Sequence, residues 1–299
     1  MPHSNARWLT SLVISFLTST VLVTASRPAL AQLSVRDDNG DMVTLQQPAQ
    51  RIISLAPSMT ELLFSLGAGD RIVGVMDFSD FPAQARQLPI VGRFDMLDME
   101  RIMALQPDLV VAWRSGNPRA SIERLKALGV NVYVAEPESL FSIAGHLTRL
   151  GDLTGQQEEA HVLREHFEQS LDSLRNTYSQ RTGVSVFYQV WHSPIISVGG
   201  AELINDMITL CGGRNIFAEL PVGPKINLED VVQRNPQVII ASGSTPEAPS
   251  WLNEWLQWPQ LHAVQNGHLY SIAPDIVQRH SMRALQGAAQ MCAHIDRAR

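Results

Sequence analysis

Apolar positions fall along this chain in two alternating patterns. Short consecutive runs of Ile, Val, Leu and Ala at 52–55, 72–75, 109–112, 132–134, 184–190, 238–241 and 269–272 have the length of buried strands. Between them lie stretches with helical spacing: 57–66 opened by Pro57-Ser58 and stopped by Gly67, 120–128 stopped by Gly129, and 203–210 stopped by Cys211-Gly212-Gly213. A last helix is expected over 281–297. Strands alternating with helices across short loops predict an α/β fold with mainly parallel sheets. Asp38-Asn39-Gly40, set between short apolar runs at 32–50, predicts a peripheral hairpin.

One unit occurs twice. Glu100-Arg101-Ile102 leads to Gln106-Pro107-Asp108 and the strand ending at Ala112-Trp113. Glu229-Asp230-Val231 leads, 129 positions later, to Asn235-Pro236-Gln237 and the strand ending at Ala241. A Glu opening a helix, a Pro seven residues on and an apolar strand, found in each half, predict two similar lobes. Between 142 and 180 the strand signal vanishes, and Leu147, Leu150, Leu163, Phe167, Leu171 and Leu174 keep helical spacing. One long connecting helix is expected over 141–181, with Gly151 and Gly155 marking where it would be jointed. The expected division is a leader over 1–31, a first lobe over 32–140 and a second over 182–299. His161 and His166, five apart, do not share a helix face at ligand spacing and are expected at the surface.

Composition narrows the function classes. The chain has 299 residues, 45% of them hydrophobic, which is enough for two lobes with cores of their own. Its formal charge is −6, and no run of Lys or Arg supplies the cations that nucleic-acid or anionic-membrane binding needs. Arg7, an uncharged apolar run over 9–25 and Ala29-Leu30-Ala31 have the form of a secretory signal peptide cleaved after Ala31, with a membrane anchor as the competing reading. A soluble exported protein follows. Cys211 and Cys292 are the only cysteines, and either a pair or two separate core thiols fits them. Neither has a Cys-x-x-Cys or His companion that would point to a metal.

No Gly-x-Ser-x-Gly elbow, Walker loop, Gly-x-Gly-x-x-Gly or His-Glu-x-x-His occurs, so the sequence offers no catalytic constellation and no cofactor fingerprint. Candidate binding residues gather instead at the expected C-terminal ends of strands: Phe78, Phe94, Trp113 with Arg114, Gln189, Trp191 with His192, and Asp275 with Arg279. In open α/β sheets those ends are where ligands bind. Aromatic rings give flat apolar contact with a large ligand, while Arg and Gln orient it; the alternative is that some of these rings only cap a core. His192 is either an axial metal ligand or a hydrogen-bonding residue.

The segments Arg51-Ile52-Ile53-Ser54-Leu55-Ala56-Pro57-Ser58-x-Thr60-Glu61, Asp77-Phe78-Ser79-Asp80-Phe81-Pro82, Gln106-Pro107-Asp108-Leu109-Val110 and Cys211-Gly212-Gly213-x-Asn215-Ile216-Phe217 carry a family likeness. Across 51–297 the chain resembles the periplasmic cobalamin-binding proteins of ABC importers, within the helical-backbone class that also binds haem and siderophores. The resemblance implies two Rossmann-like lobes joined by a rigid helix, with cobalamin held between them as transported ligand and no cofactor. It implies that Phe78, Phe94 and Trp113 grip the corrin ring, and that Asp275 and Arg279 give polar contacts. It also implies a Cys211–Cys292 disulfide, and a membrane permease whose arginines meet Glu100 and Glu229. The family carries an aromatic where this chain has Gly223, a departure that Trp191 is placed to offset. A monomeric, non-enzymatic periplasmic receptor is therefore expected. The rivals are the same scaffold with haem or a ferric siderophore, and an exported α/β enzyme.

Overall fold

The hairpin expected before the first lobe is formed by Leu33–Arg36 (β1) and Met42–Leu45 (β2), paired antiparallel. The Asp37 carboxylate closes its turn by accepting from the backbone N–H of Asn39 and of Asp41, both at 2.9 Å. The computed structural model describes residues 32–299 apart from 244 and 246, so the signal peptide expected over 1–31 lies outside the described residues.

The first lobe then runs β3 (Ile52–Ser54), α1 (Pro57–Ser65), β4 (Ile72–Val75), the small hairpin β5 (Gly92–Arg93) and β6 (Met96–Leu97), α2 (Met99–Ala104), β7 (Leu109–Trp113), α3 (Arg119–Ala127) and β8 (Val132–Ala135). Pro57 starts α1 where its missing N–H costs nothing, and the Asp98 carboxylate caps α2 by accepting from Arg101 N at 2.9 Å. The four main strands are parallel in the order β4-β3-β7-β8.

The segment between the lobes is two helices, α4 (Ser142–Thr154) and α5 (Gln157–Tyr178). The joint expected at Gly151–Gly155 is a full break, because Gly155 ends α4 in the left-handed region at φ 69°. The Arg175 guanidinium, in the last turn of α5, lies 4.6 Å from the ring of Phe141 at the start of α4, so the chain folds back on itself. Helix α4 packs on β1 and α5, and α5 packs on the helices of the second lobe.

The second lobe contains β9 (Val184–Gln189), the hairpin β10 (Trp191–His192) and β11 (Ile195–Ile196), α6 (Leu203–Leu210), β12 (Gly213–Asn215), α7 (Leu228–Arg234), β13 (Val238–Ala241), α8 (His262–Gln265), β14 (Leu269–Ser271), α9 (Pro274–Val277) and α10 (Ala284–Asp296). Trp251 and Trp255 lie on a 3₁₀ stretch, Ser250–Gln257. The parallel sheet has the order β12-β9-β13-β14. Leaving the small hairpins aside, both lobes place their first sheet strand between the second and the third. The repeated Glu–Pro unit is α2–β7 in one lobe and α7–β13 in the other.

Alternation along each strand divides the core. Leu109 and Val111 of β7, with Val184 and Val186 of β9, join one apolar cluster that also takes in Leu147, Leu150, Phe167, Leu171 and Met291. That cluster is continuous from the first lobe through α4 and α5 to the second. Val110 and Ala112 face a separate cluster under α2 and α3, and Phe187 and Ile239 face a third beside Trp255. Cys211, capping α6, is disulfide-bonded to Cys292 on α10, with their Cα atoms 4.7 Å apart.

Candidate functional site: a cleft between the lobes

In each sheet the third strand lies on the far side of the first from the second, so the chain leaves neighbouring strand ends toward opposite sides. Such switch points open crevices at the C-terminal ends of strands. The two sheets present theirs to a common space. A cavity of about 520 Å³ is lined by Pro57 and Ser58 after β3, Trp113 at the end of β7, Gly243 after β13 and Asp275 on α9. A second, of about 780 Å³, shares Trp113, Gln278 and His280 with the first. Its apolar wall includes Val190, Val198, Leu203 and Val277. Each volume falls in the range of organic-ligand pockets, roughly 300–1,000 Å³.

Trp113 stands between the cavities, and its setting is built. Its backbone N–H donates to Asn117 Oδ1 at 2.7 Å, and Asn117 Nδ2 donates to the Leu55 carbonyl at 2.9 Å. Buried Asn117 thus ties the ends of β7 and β3 together. The indole lies over Gly116, where an added Cβ would fall 1.8 Å from a ring carbon. Phe78 reaches the smaller cavity and is 71% exposed, at a backbone φ of 64° that is uncommon for an aromatic residue. Phe94, 72% exposed, sits at the turn of β5–β6 and lines neither cavity.

An ionic cluster crosses the cleft floor. Glu61, buried on α1, accepts from Arg279 Nη1 at 2.9 Å, from Arg283 Nη2 at 2.6 Å and Nε at 2.9 Å, and from Ser281 Oγ at 2.6 Å. Arg279 also meets Asp80 Oδ1 at 2.7 Å and Asp275 Oδ1 at 3.1 Å. Partial burial pushes the Asp80 carboxyl up, but the hydrogen bond and charge of Arg279 outweigh it and hold Asp80 below the usual carboxylate range. Burial opposes the charge on Arg279, and its hydrogen bonds to Glu61 and Asp80 hold it more firmly protonated than usual. His280, facing both cavities, is pushed down to about 4 by burial and is neutral at pH 7. Among the described residues no group of three or more His, Cys, Asp and Glu is arranged to hold a metal.

The cleft brings together Phe78, Trp113, Asp275 and Arg279 of the residues expected there. Five others, Phe94 among them, are placed elsewhere. Arg114 lines neither cavity, because its guanidinium turns to Glu138 Oε1 and the Asp38 carbonyl, both at 3.0 Å. Gln189 is buried: its Oε1 accepts from Trp255 Nε1 at 2.7 Å and its Nε2 donates to the Trp191 carbonyl at 3.2 Å. Trp191 and His192 leave with the β10–β11 hairpin, the His192 ring stacked on Trp251 at 5.6 Å and outside both cavities. Glu100 and Glu229 stand exposed in the first turns of α2 and α7.

The sequence reading does not single out Asp80 and His280, which line the cleft, or Glu61, Asn117 and Arg283, which hold its walls together. One signal was available: an acid in the middle of the apolar run Met59-Thr60-Glu61-Leu62-Leu63 is costly to bury unless a cation meets it.

Comparison with known proteins agrees with this geometry. The periplasmic binding protein family model matches residues 52–276. A vitamin B12-binding protein of Vibrio campbellii is 36% identical over 254 residues, spanning 84% of this chain and 91% of that one. The crystal structure of the periplasmic vitamin B12-binding protein BtuF of Vibrio cholerae superposes with a TM-score of 0.77 at 34% identity, covering 84% of this chain and 98% of the other. A periplasmic haem-binding protein from Roseiflexus shares the fold with a TM-score of 0.75 at 21% identity, over 84% of this chain and all (100%) of its own. With a two-lobed α/β fold, a cleft at paired switch points and these relatives, the chain belongs to the periplasmic binding protein family.

Proposed function

We propose that this protein captures cobalamin in the interlobe cleft and delivers it to the permease of an ABC importer. The observation that carries this reading is the cleft itself: two cavities of about 520 and 780 Å³ meeting at Trp113, with Phe78 on one wall. Relatives named for vitamin B12 binding, 36% and 34% identical, support the ligand. In this reading the apolar wall and the two rings take the flat corrin by area, while Asp275, Arg279 and Gln278 orient its polar side groups. The segment over 1–31 is the export signal, and the mature chain works as a periplasmic monomer. Glu100 and Glu229, one per lobe on matched helices, meet cationic residues of the permease. Paired charges of that kind set orientation more than affinity.

Titration of the purified protein with cyanocobalamin in a calorimeter tests the reading. Saturable heat at micromolar ligand is expected, and its absence sinks the proposal.

A further inference from the structure

The charges around the cleft are unbalanced. The smaller cavity carries Asp80 and Asp275 against Arg86 and Arg279. The larger carries Glu136, Glu138 and Glu202, and among the described residues no Arg or Lys lines it. The guanidiniums near the cleft are also engaged. Arg279 is shared among Glu61, Asp80 and Asp275, and Arg283 spends its Nε and Nη2 on Glu61. Arg86 Nε donates to the Asp80 carbonyl at 3.0 Å, and Arg114 is turned to Glu138 and Glu136. Glu202 accepts the backbone N–H of Gly199 at 2.6 Å and of Gly223 at 3.0 Å through Oε1. Gly223, the position where the resemblance led to an aromatic, therefore helps to hold a carboxylate at the cleft.

We propose that the cleft selects its ligand by charge: Glu136, Glu138 and Glu202 repel anionic ligands, while Glu61 occupies the arginines that would otherwise attract them. The inference rests on the reading of the cleft as a corrinoid site and specifies the class of corrinoid. A neutral ligand rich in primary amides finds carboxylate acceptors for its N–H groups. The same ligand with a side-chain amide hydrolysed meets like charge beside an apolar wall, since Arg114 offsets only one of the three carboxylates. Haem propionates and anionic ferric chelates meet the same barrier.

The test compares cyanocobalamin with its mono- and dicarboxylate derivatives, which keep its size and shape, by calorimetry at low and high salt. Each added carboxylate is expected to weaken binding about tenfold at low salt, the scale of one like-charge contact at cleft distances. The difference should shrink as salt rises, and should shrink also in Glu138→Gln with Glu202→Gln. If that variant does not fold, the derivative series on the unaltered protein decides the matter alone. Carboxylates that bind as well as the amide overturn the proposal, as does a difference indifferent to salt, which would report lost hydrogen bonds. Failure of cyanocobalamin itself to bind overturns the corrinoid reading and this inference with it. Binding without discrimination overturns only the inference.

Discussion

Glu61 and Arg283 meet across the lobe boundary through two hydrogen bonds, of 2.6 and 2.9 Å, although 222 residues separate them in the chain. With Arg279 and Ser281 on the same carboxylate, Glu61 fastens the first lobe's α1 to the segment that enters α10. The bond of Asp206 Oδ2 to Leu140 N, 2.9 Å, fastens the lobes a second time near α4. Replacing Glu61 with Ala leaves the largely buried Arg283 guanidinium without its carboxylate partner, while Arg279 keeps Asp80 and Asp275. Removing one partner of a buried ion pair costs about 3–5 kcal/mol. Urea unfolding of Glu61→Ala should therefore give a stability lower by that amount. A loss under about 1 kcal/mol would show that water replaces the carboxylate at little cost.

Acid should loosen the protein through two histidines. His146 is pushed down to about 4 by burial, with Asp38 opposing and Arg149 adding to the shift, and His280 is likewise pushed down to about 4 by burial. In the unfolded chain both titrate near 6.5. Between those values the unfolded chain holds more protons, so stability is full above pH 6.5 and falls as pH drops toward 4. For His146, whose side chain is 1% exposed, the shift corresponds to about 3 kcal/mol across the window. Unfolding free energies measured between pH 7 and 4 should decline with a slope approaching two protons. His280→Gln should reduce that slope, and a flat profile would contradict the buried, neutral assignment.

The disulfide closes a separation of 81 residues between α6 and α10. In the chain-entropy account a loop of that length limits the unfolded state by about 4.5 kcal/mol. Cys211→Ser with Cys292→Ser should lower the melting temperature by roughly 10–15 °C while leaving far-UV circular dichroism unchanged. Melting within 3 °C of the parent would mean that packing around Met207 and Met291, not the bond, holds those helices together.

Much of this architecture is written in local pattern. Pro107 and Pro236 stop helices in front of consecutive β-branched residues, so α2–β7 and α7–β13 are visible by inspection, and Asp38-Asn39-Gly40 announces its hairpin. Strand β12 is not visible, because Gly213-Arg214-Asn215 has no strand character of its own and is formed by lying beside β9. Likewise, strand-end position does not settle which residues line the cleft. Trp113 and Gln189 both end parallel strands, yet Trp113 opens on the cleft while Gln189 is drawn inward by the Trp255 indole. Glu61 closes the motif that begins at Arg51, but its role depends on partners more than two hundred residues away, beyond any local spacing rule.

For docking, the expectation concerns two residues outside the cleft. Glu100 and Glu229 are exposed, and among the described residues neither forms an ion pair. Reversing both, Glu100→Arg with Glu229→Arg, should abolish permease-dependent uptake of labelled cobalamin into vesicles and leave calorimetric affinity within a factor of two. Unimpaired uptake would remove these residues from the permease interface.

The Trp113 indole stands at the centre of the cleft. A methyl group at position 116 would fall 1.8 Å from one Trp113 ring carbon and 2.4 Å from two others, too close for the ring to stay. The obstacle is a side chain and not backbone, so Gly116→Ala should fold and move the indole instead of breaking β7. Trp113 lines both cavities, so a displaced ring changes the shape of each. Affinity for cyanocobalamin should fall by about tenfold to a hundredfold, the scale of losing one well-placed aromatic contact. Thermal stability should change little, because Asn117 still ties the ends of β7 and β3. Trp113→Ala should lose at least as much affinity, and combining it with Gly116→Ala should add nothing further, since the second change acts only through the ring. Additive losses in the double variant would show that Gly116 contacts the ligand or its loop directly.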